Sequence, residues 1–582
     1  MAEIIGTTVG VIGFLGQLFD GCVKAYGYFT TASQLDTDSQ RMMCKVRIEE
    51  MRLVVWGREW GVAEGKLEAH LECEKNPQLR KLAIQIMEEL HGTVTDFAKL
   101  KERYGLQEDV TGGVGGKASS SPSTSTSRKG SLKDEGAAVG GRGGSMMERS
   151  WRKEWSLRTK WVIADKDKFT NLLRDLKDFN DGLERLFPPS QLPSFQRAWT
   201  HRLLESAQRD LTQLSLLETA SSDTYPQLKT SANLKSLRIN LDSKPQSAFK
   251  PTFALKVPRT ALTITPPSPE SQTVNQRTSS SSSSSSSTPI VDSRRRRCQG
   301  HHSTAGDIIV EWVDYDRDAI DERVAHVRRM DDLARMMHSA STSHPDLHAI
   351  DCVGYTDDTP NSRYGLIYKA PSSSYSTLHA LISSSDLKTP DLDQRIRLAH
   401  TLAVALWSLH SLDWLHKSLC SSNITFFPSA FSTSANSPTA TAALIPDISD
   451  PYLIGFDASR PDLDTALSMV PKNPSIENIH RHPASTRGLT YCKAFDVYSL
   501  GLVLLEIGLW KVLQAYYKPH YSADRWRDKV VLAVLVPGLG SKVGKRFRET
   551  VEMCLAVNEH LSSEQAGKIM ERVVATLESI HV

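Results

Sequence analysis

The sequence predicts a multidomain protein with an N-terminal all-α helical bundle and a C-terminal α+β domain of two lobes. Apolar residues recur at helical intervals through residues 1–217, apart from an insertion at about 108–148. Residues 218–300 are rich in serine and proline and predict a disordered linker. Residues 301–582 combine a β-branched strand pattern with helical patterns. A length of 582 residues allows about three or four domains, which fits this division.

Composition excludes several classes of protein. The formal net charge is only +3, so no overall field favours nucleic acid and we predict no such partner. The 8 cysteines are scattered, with no C-x-x-C pair and no histidine cluster of metal-ligand spacing. We therefore predict free thiols in a reducing, cytoplasmic compartment and no metal site.

An uncharged stretch with several glycines, Ile4 to Phe19, predicts the first helix. It lacks the basic start of a signal peptide and is shorter than the roughly 20 apolar residues that span a membrane. We interpret it as a helix that is either buried or conditionally membrane-seeking. Its membrane-seeking residues would be Ile4, Ile5, Val9, Val11, Ile12, Phe14 and Leu15.

Further helices are predicted along the N-terminal region, at about 41–60, 78–105, 169–186 and 193–217. Pro188 and Pro189 end the third of them. The insertion before that helix is built from small and polar residues with almost nothing to bury. It is therefore predicted to be a long disordered loop inside one helical domain.

Three stretches of this region carry a resemblance to a known family. They are the N-terminal Met-Ala-Glu with its glycine-rich helix, residues 44–58 with Trp56-Gly57, and residues 159–188 with Trp161 ahead of Asp165-Lys166. Together they resemble the fungal HeLo domain, the prion-inhibition and propagation helical bundle.

The HeLo resemblance implies a bundle that acts in regulated cell death and heterokaryon incompatibility. It also implies an N-terminal helix that can be released into a membrane, so membrane lipid is one expected partner. Self-association of the bundle, or binding to another death-signalling protein, is the other. A bundle used only for binding a partner remains the alternative.

The predicted linker contains a serine run, Ser279 to Ser287, and four consecutive arginines at 294–297. Burial in such a segment cannot offset the entropy lost on ordering. The arginines could bind anionic lipid or serve as a nuclear address. We expect them to form a solvated charge cluster.

The predicted elements of the C-terminal region follow a definite order. A strand, a helix, a strand, a helix, a loop, a triplet and an apolar helix fall at 308–313, 319–337, 364–371, 398–409, 414–424, 455–457 and 495–510. The last helix is apolar nearly all round, which predicts burial on every side. Asp496, Ser499 and Glu506 interrupt it, and each needs a partner there.

The loop at 414–424 has the spacing of a protein-kinase catalytic loop, H-R-D-L-x-x-x-N, and 455–457 stands where the metal-binding D-F-G triplet belongs. With the apolar helix, these motifs resemble the C-lobe of a protein kinase. The resemblance implies that Asp496 bonds the backbone of the loop and that Asn423 is a metal ligand. It also makes Glu322 the candidate ion-pair glutamate of the helix at 319–337.

The chain departs from the kinase pattern where the chemistry takes place. In His416-Lys417-Ser418 a serine replaces the aspartate base, and a serine hydroxyl cannot accept a proton at neutral pH. Gly455 replaces the first metal-binding aspartate, and the strand at 308–313 has no phosphate-binding lysine. We therefore predict a pseudokinase with no catalytic residues and no bound cofactor.

The competing enzyme hypothesis is an active but atypical Ser/Thr-type protein kinase. It would bind ATP and magnesium through Asn423, Gly455, Phe456 and Asp457. Asp457 lies two residues beyond Gly455 and shares its side of an extended segment.

The combined hypothesis is a cell-death signalling effector of the heterokaryon-incompatibility type, with an inactive kinase-like regulatory domain. It would be cytoplasmic and associate with the plasma membrane on activation. The remaining alternative is an adaptor protein that never enters a membrane.

Overall fold

The computed structural model describes residues 13–29, 36–73, 77–108, 161–243, 254–265, 297–315, 320–427, 445–456, 460–461 and 479–581. The chain divides into two compact units, Met1–Pro189 and Ser190–Val582. Residues 109–148 of the predicted insertion lie outside the described residues, as do Ile4, Ile5, Val9, Val11, Ile12 and Asp457.

In its described residues, the first unit is helical, with one short ribbon of two strands. Its helices are α1 (Phe14–Phe29), α2 (Thr37–Glu59), α3 (Lys66–Cys73), α4 (Pro77–Thr95), α5 (Phe97–Glu102) and α6 (Lys166–Leu186). The strands β1 (Leu106–Glu108) and β2 (Trp161–Ile163) pair in antiparallel fashion. The side chain of Asp165 caps α6 by accepting from the backbone N–H of Lys168, which fixes where this helix begins.

Of the helix predicted at 4–19, the structure describes residues 13–19, which contain the start of α1. α1 begins at Phe14, which is 48% exposed, and Leu15 next to it is only 1% exposed. Within the described residues, no helix is both long enough and apolar enough to cross a membrane.

α1 packs closely against α2 at one glycine. A Cβ atom placed on Gly57 of α2 would lie 2.2 Å from the ring carbons Cε2 and Cζ of Phe19 in α1. Only a residue without a side chain leaves room for that ring. The contact explains the glycine in the Trp56-Gly57 pair on which part of the family resemblance rests.

A buried arginine connects α2 to α6. Arg52 donates to Asp181 at 2.8 Å and to Glu184 at 2.7 Å. One turn further along α2, the indole N–H of Trp56 donates to the carbonyl of Phe187 at 3.1 Å. Since a buried charge or donor is costly without its partner, these bonds fix the register between the two helices.

The second unit combines a β-sheet with many helices. Its helices are α7 (Leu192–Ala207), α8 (Leu211–Ser221), α9 (Pro226–Ser243), α10 (Ile320–Ser343), α11 (Leu378–Ser383), α12 (Leu392–Ser411), α13 (Pro483–Thr486), α14 (Lys493–Leu509), α15 (Ala523–Arg525), α16 (Gly540–Val543), α17 (Lys545–Leu555) and α18 (Ser563–Glu578). A π-helical segment, Trp526–Leu535, follows α15.

Its strands are β3 (Leu262–Ile264), β4 (Arg297–His302), β5 (Gly306–Asp314), β6 (Cys352–Asp358), β7 (Arg363–Lys369), β8 (Ser376–Thr377), β9 (Trp414–Leu415), β10 (Ile424–Phe426), β11 (Tyr452–Leu453) and β12 (Arg460–Pro461). β3, β4, β5, β7 and β6 form one antiparallel sheet in that order. α10 lies between β5 and β6 in the chain. The register places Arg297 of β4 directly opposite Glu311 of β5.

The division of the structure into two units falls at Pro189–Ser190, ahead of the boundary predicted at 217. α7, α8 and α9 belong to the second unit, and both α9 and β3 fall within the stretch predicted to be a disordered linker. α9 buries Leu228 and Leu234 together with two polar residues, Lys235 and Arg238. Because those two cations face the interior, the apolar face of α9 was not visible as a pattern in the sequence.

The helix predicted at 193–217 is divided into α7 and α8. Gln208 has a positive φ of 48° and ends α7. The Asp210 side chain then accepts from the backbone N–H groups of Thr212 and Gln213 and starts α8. Aspartate is a strong N-cap residue, and this cap is the signal that the periodicity analysis missed.

α14 is the central helix of the second unit and is buried at every position from Lys493 to Gly508. Its charged interior residue Glu506 lies 3.0 Å from Nε2 of His480 and accepts from the backbone N–H of Leu513 at 2.8 Å. Burial alone would raise the pKa of this carboxyl, but the facing His480 lowers it below its usual value.

Candidate functional site

The side chain of Asp496, in α14, anchors the loop at 414–424. The carboxylate of Asp496 accepts from the backbone N–H groups of His416 and Lys417, each at 2.8 Å, and from the Tyr491 hydroxyl at 2.8 Å. Burial alone would raise its pKa, but hydrogen bonds led by that of His410 lower it below the usual value. Asp496 is therefore an ionised anchor for the loop.

The side chain of His416 lies on the buried side of this loop. Its ring packs against the ring of Phe456, with 4.8 Å between centroids. Its Nδ1 atom accepts from the backbone N–H of Ser418 at 3.3 Å. Lys417 between them has a positive φ of 68°, which turns the chain sharply after His416.

Asn423 closes the other end of the loop. Its Nδ2 atom donates to the carbonyl of Ser418 at 2.6 Å, and its Oδ1 atom accepts from Arg297 Nη2. Both polar atoms of this side chain are thus engaged by protein groups. Asn423 acts here as a structural bond across the loop.

A buried ion pair between β4 and β5 lies beside the loop. Oε1 of Glu311 is 2.8 Å from Nη2 of Arg297 and accepts from its Nε at 2.8 Å. Arg297 also donates through Nη1 to the carbonyl of Ser422 at 2.8 Å. Burial alone would lower the pKa of Arg297, but Glu311 raises it above its usual value. The guanidinium therefore joins the sheet to the loop as a permanent cation.

The second carboxylate oxygen of Glu311 reaches the triplet at 455–457. Oε2 accepts from the backbone N–H of Gly455 at 3.2 Å and from the Tyr368 hydroxyl at 3.2 Å. Glu311, Arg297, Asn423 and Gly455 thus form one continuous network, which we name the cleft network.

Gly455 has no room for a side chain. Its φ is +87°, and a Cβ atom there would lie 2.4 Å from Nδ2 of Asn423. An aspartate at this position would therefore displace the amide that closes the loop. Phe456 is buried and Asp457 lies outside the described residues. Glu322 is located in α10, near its start.

Two members of the cleft network were missed by sequence analysis. Arg297 was grouped with the linker arginines and expected to be solvated; instead it is the first residue of β4 and pairs with Glu311, half-buried. In the strand at 308–313, only the missing lysine entered the prediction. The available signal was Glu311 itself, because a carboxylate in an apolar strand requires a buried cation nearby.

A second cluster surrounds Asp413, the residue just before β9. Its carboxylate lies 2.9 Å from the ammonium of Lys235 in α9 and 3.0 Å from that of Lys493 in α14. Burial alone would raise the pKa of Asp413, but these two lysines lower it below its usual value. Lys235 is only 1% exposed and also donates to the carbonyl of Leu204 at 2.9 Å.

Arg238 makes two further contacts in the cluster around Asp413. It donates through Nε to the carbonyl of Asp413 at 3.2 Å, and its guanidinium carbon lies 4.9 Å from the Trp414 ring centroid. α9 therefore grips the chain immediately ahead of the loop that Asp496 and Asn423 hold. A movement of that loop would therefore directly alter its contacts with α9.

Two ion pairs connect α7 to other parts of the second unit. Arg197 and Asp346 form a two-pronged pair, with Nε to Oδ2 at 2.8 Å and Nη2 to Oδ1 at 3.1 Å. Arg202 pairs with Glu571 of α18 at 3.4 Å. Such bidentate pairs fix orientation as well as distance.

Comparison with protein families gives two matches. Residues 6–217 match the HeLo family, described as prion-inhibition and propagation. Residues 311–578 match a domain of unknown function, DUF7580. A comparison with curated proteins finds no match.

The class of the N-terminal region is thereby confirmed: the chain carries a helical HeLo domain, and this indicates a role in fungal cell-death or incompatibility signalling. The particular combination is a HeLo domain followed by a mixed α/β domain of the DUF7580 type. The HeLo match ends within α8, so it includes the α7 helix that is bonded to residues of the second match.

Proposed function

We propose that the protein is a signalling effector of regulated cell death, of the heterokaryon-incompatibility type, whose C-terminal domain is a catalytically inactive, protein-kinase-like regulator. The sheet order β3-β4-β5-β7-β6, with α10 between β5 and β6, supports the kinase-like assignment. The following helix, loop, triplet and buried α14 come in the order that the resemblance implies.

The cleft network is the observation that carries the proposed inactivity. Transfer of a phosphoryl group by this fold depends on cations that hold the phosphates and carboxylates that hold the metal. Here Glu311 stands on the strand where a lysine is required, and Arg297 neutralises it. Asn423 is engaged on both atoms, and Gly455 excludes a carboxylate.

The absence of a general base also supports the proposed inactivity. Ser418 stands where an aspartate would accept the proton of the substrate, and a general base contributes about 10²–10⁴ in rate. The residues present do not fit a magnesium-bound nucleotide. We infer that the domain acts by holding and releasing other parts of the chain.

The proposed regulation acts through the cluster around Asp413. α7 and α9 are held by Asp346, Glu571 and Asp413, all on the C-terminal domain. We infer that a partner or signal acting on the loop at 414–424 loosens these bonds and frees the HeLo domain. The freed bundle would self-associate or bind another death-signalling protein, and move from the cytoplasm to the plasma membrane.

Dye release from liposomes tests the membrane arm of this proposal. The full chain would be added to vesicles of phosphatidylcholine and phosphatidylserine. Lys235→Met removes one bond to Asp413 and should increase release over the parent protein. Lys229→Met is the matched control, because Lys229 is exposed on the same helix. Equal release by a folded Lys235→Met variant and its parent would favour an adaptor that never enters a membrane.

A thermal-shift titration tests the inactivity. ATP with magnesium should leave the melting temperature of the full chain where magnesium alone leaves it. A saturable rise that needs both ATP and magnesium would favour the atypical active kinase.

A further inference from the structure

Three histidines surround the ion pair that holds α7 to the rest of the second unit. That pair joins Arg197 of α7 to Asp346, in the turn Pro345–Leu347 that follows α10. His201 lies one helical turn after Arg197 on α7 and is only 8% exposed. Its ring centroid is 4.4 Å from that of Trp407 in α12, so α12 covers one edge of the imidazole.

The other two rings approach the ion pair from different elements. His344 directly follows α10, and its Nε2 atom lies 3.0 Å from the Ser231 hydroxyl of α9. It lines a cavity of about 40 Å³ together with His201. His400 belongs to α12, and its Nε2 atom lies 3.9 Å from Oε2 of Glu578 in α18. Because α7 packs against α9, α12 and α18, these rings lie where α7 meets the C-terminal domain.

Burial keeps all three rings neutral. It is the leading cause that lowers the pKa of His201 to about 3 and of His400 to about 4, and it also lowers the pKa of His344. The charge of Arg197 lowers each of these pKa values further, and that of Asp346 opposes it. Burial alone would raise the pKa of Asp346, but hydrogen bonds from Arg197 lower it below its usual value. Asp346 therefore stays ionised, and already paired, in mild acid.

Other charged groups around α7 belong to each element packed against it. They are Arg202 and Glu205 of α7, Glu218 of α8, Lys235 of α9, His348 after the turn, Asp413, Lys493 of α14, and Glu571 and Glu578 of α18. Lys493 also lowers the pKa of His201. Glu205 has the opposite linkage, because burial raises its pKa. One such carboxyl stands against three rings.

We propose that α7 is an acid-operated latch: mild acidification protonates the three rings and detaches α7 from the C-terminal domain while the core of that domain stays folded. A free imidazole titrates near pH 6.5, whereas these buried rings accept a proton only once α7 has moved. Detachment therefore becomes more favourable as the pH falls below about 6.5, and neutral pH restores the contact. The HeLo match includes α7, so the purpose of the latch rests on the proposed function, but detachment itself needs no membrane.

The size of the acid effect follows from the number of rings. Between pH 7.5 and 5.5 a free histidine changes from mostly neutral to mostly charged, which should favour detachment by about tenfold for each ring. Three rings released together should therefore favour it by up to about a thousandfold.

Hydrogen exchange of the full chain at these two pH values tests the latch, with protection factors corrected for the intrinsic pH dependence of amide exchange. The control helix is α17, which lies in the same unit and contains no histidine. Amides of α7 should lose protection by up to about a thousandfold, while those of α17 keep theirs. Equal losses in both helices would show unfolding of the whole unit and overturn the proposal, as would unchanged protection of α7.

Two substitutions separate the latch from a general effect of acid. His201→Gln and His344→Gln each remove one titrating ring, and each should reduce the acid-induced loss in α7 by about tenfold. His344 is only half-buried, so its variant keeps the test decisive if His201→Gln does not fold. His560→Gln is the matched control, because its exposed ring should not affect α7.

An acid-induced loss that is the same in both ring variants as in the parent protein would overturn the latch. Dye release from liposomes, measured alongside, distinguishes the latch from the proposed function. Detachment of α7 without acid-dependent dye release would support the latch and count against the membrane arm alone.

Discussion

The guanidinium of Arg297 and the carboxylate of Glu311 lie 2.8 Å apart across neighbouring strands, beside the loop at 414–424. Glu311→Gln should leave Arg297 without its counter-charge and lower the free energy of unfolding of the second unit by about 3–5 kcal/mol. The double change Arg297→Met with Glu311→Leu should cost clearly less, because no charge is then stranded. Urea unfolding followed by tryptophan fluorescence measures both variants, and a double variant at least as unstable as Glu311→Gln would contradict the pairing.

Gly455→Ala should destabilise the second unit through both backbone strain and collision with Asn423. Gly306→Ala is the matched control: Gly306 has a similar φ of +80°, but a Cβ there meets nothing within 4 Å. The control should lose about 1–2 kcal/mol from strain. Gly455→Ala should lose at least about 1 kcal/mol more, because the Asn423 bond to Ser418 must break. Equal losses in urea unfolding would show that Asn423 yields freely.

Gly57→Ala should loosen α1 from α2, because the new methyl group would overlap the ring of Phe19. Overpacking of this kind costs about 1–3 kcal/mol. Gly92→Ala in α4 meets nothing within 4 Å and should instead add about 0.5–1 kcal/mol through helix propensity. Hydrogen exchange of α1 amides is the measurement; unchanged protection in Gly57→Ala would show that Phe19 repacks at no cost.

Acid should destabilise the second unit between pH 6.5 and 5. Burial is the leading cause that lowers the pKa of His201 to about 3 and of His400 and His482 to about 4. Unfolded histidine titrates near 6.5, so in this window the unfolded chain binds more protons and the free energy of unfolding falls as pH drops. Each buried ring contributes up to about 1.4 kcal/mol per pH unit.

Equilibrium unfolding at several pH values, followed by tryptophan fluorescence, measures the acid effect, since Trp407 lies 4.4 Å from the His201 ring. His201→Gln should reduce the slope by about one proton. A stability that stays flat from pH 7 to 5 would show that these rings are reached by water in the folded state.

The sequence was most informative where burial and chain order coincide. The helical HeLo region followed from apolar periodicity and a few tryptophan and aspartate positions, and the family comparison confirms it. The apolar stretch that became α14 was legible because it has no polar face. Asp496 was expected to bond the loop backbone, and the structure places it 2.8 Å from two of the loop's N–H groups.

The sequence was least informative where charges are buried in pairs. Arg297, Lys235 and Arg238 each look solvated in the chain, since a cation in a polar segment is usually at the surface. Glu311 faces Arg297 only once β4 and β5 pair, and Asp413 lies 175 residues beyond Arg238 in the chain, so both partners become neighbours only after folding. An analysis of periodicity looks for regularly spaced apolar residues. A helix or strand that buries cations, such as α9 or β4, therefore resembles a linker.

The grip of Asp413 on Lys235 has a practical consequence for anyone cutting this gene into expressible fragments. A fragment begun at residue 218 would omit α7, and one begun at residue 301 would leave Asp413 and Lys493 without α9 and the sheet without β3 and most of β4. The division between the two units falls between Pro189 and Ser190, so a fragment that begins at Ser190 keeps α7, α9 and the whole sheet together.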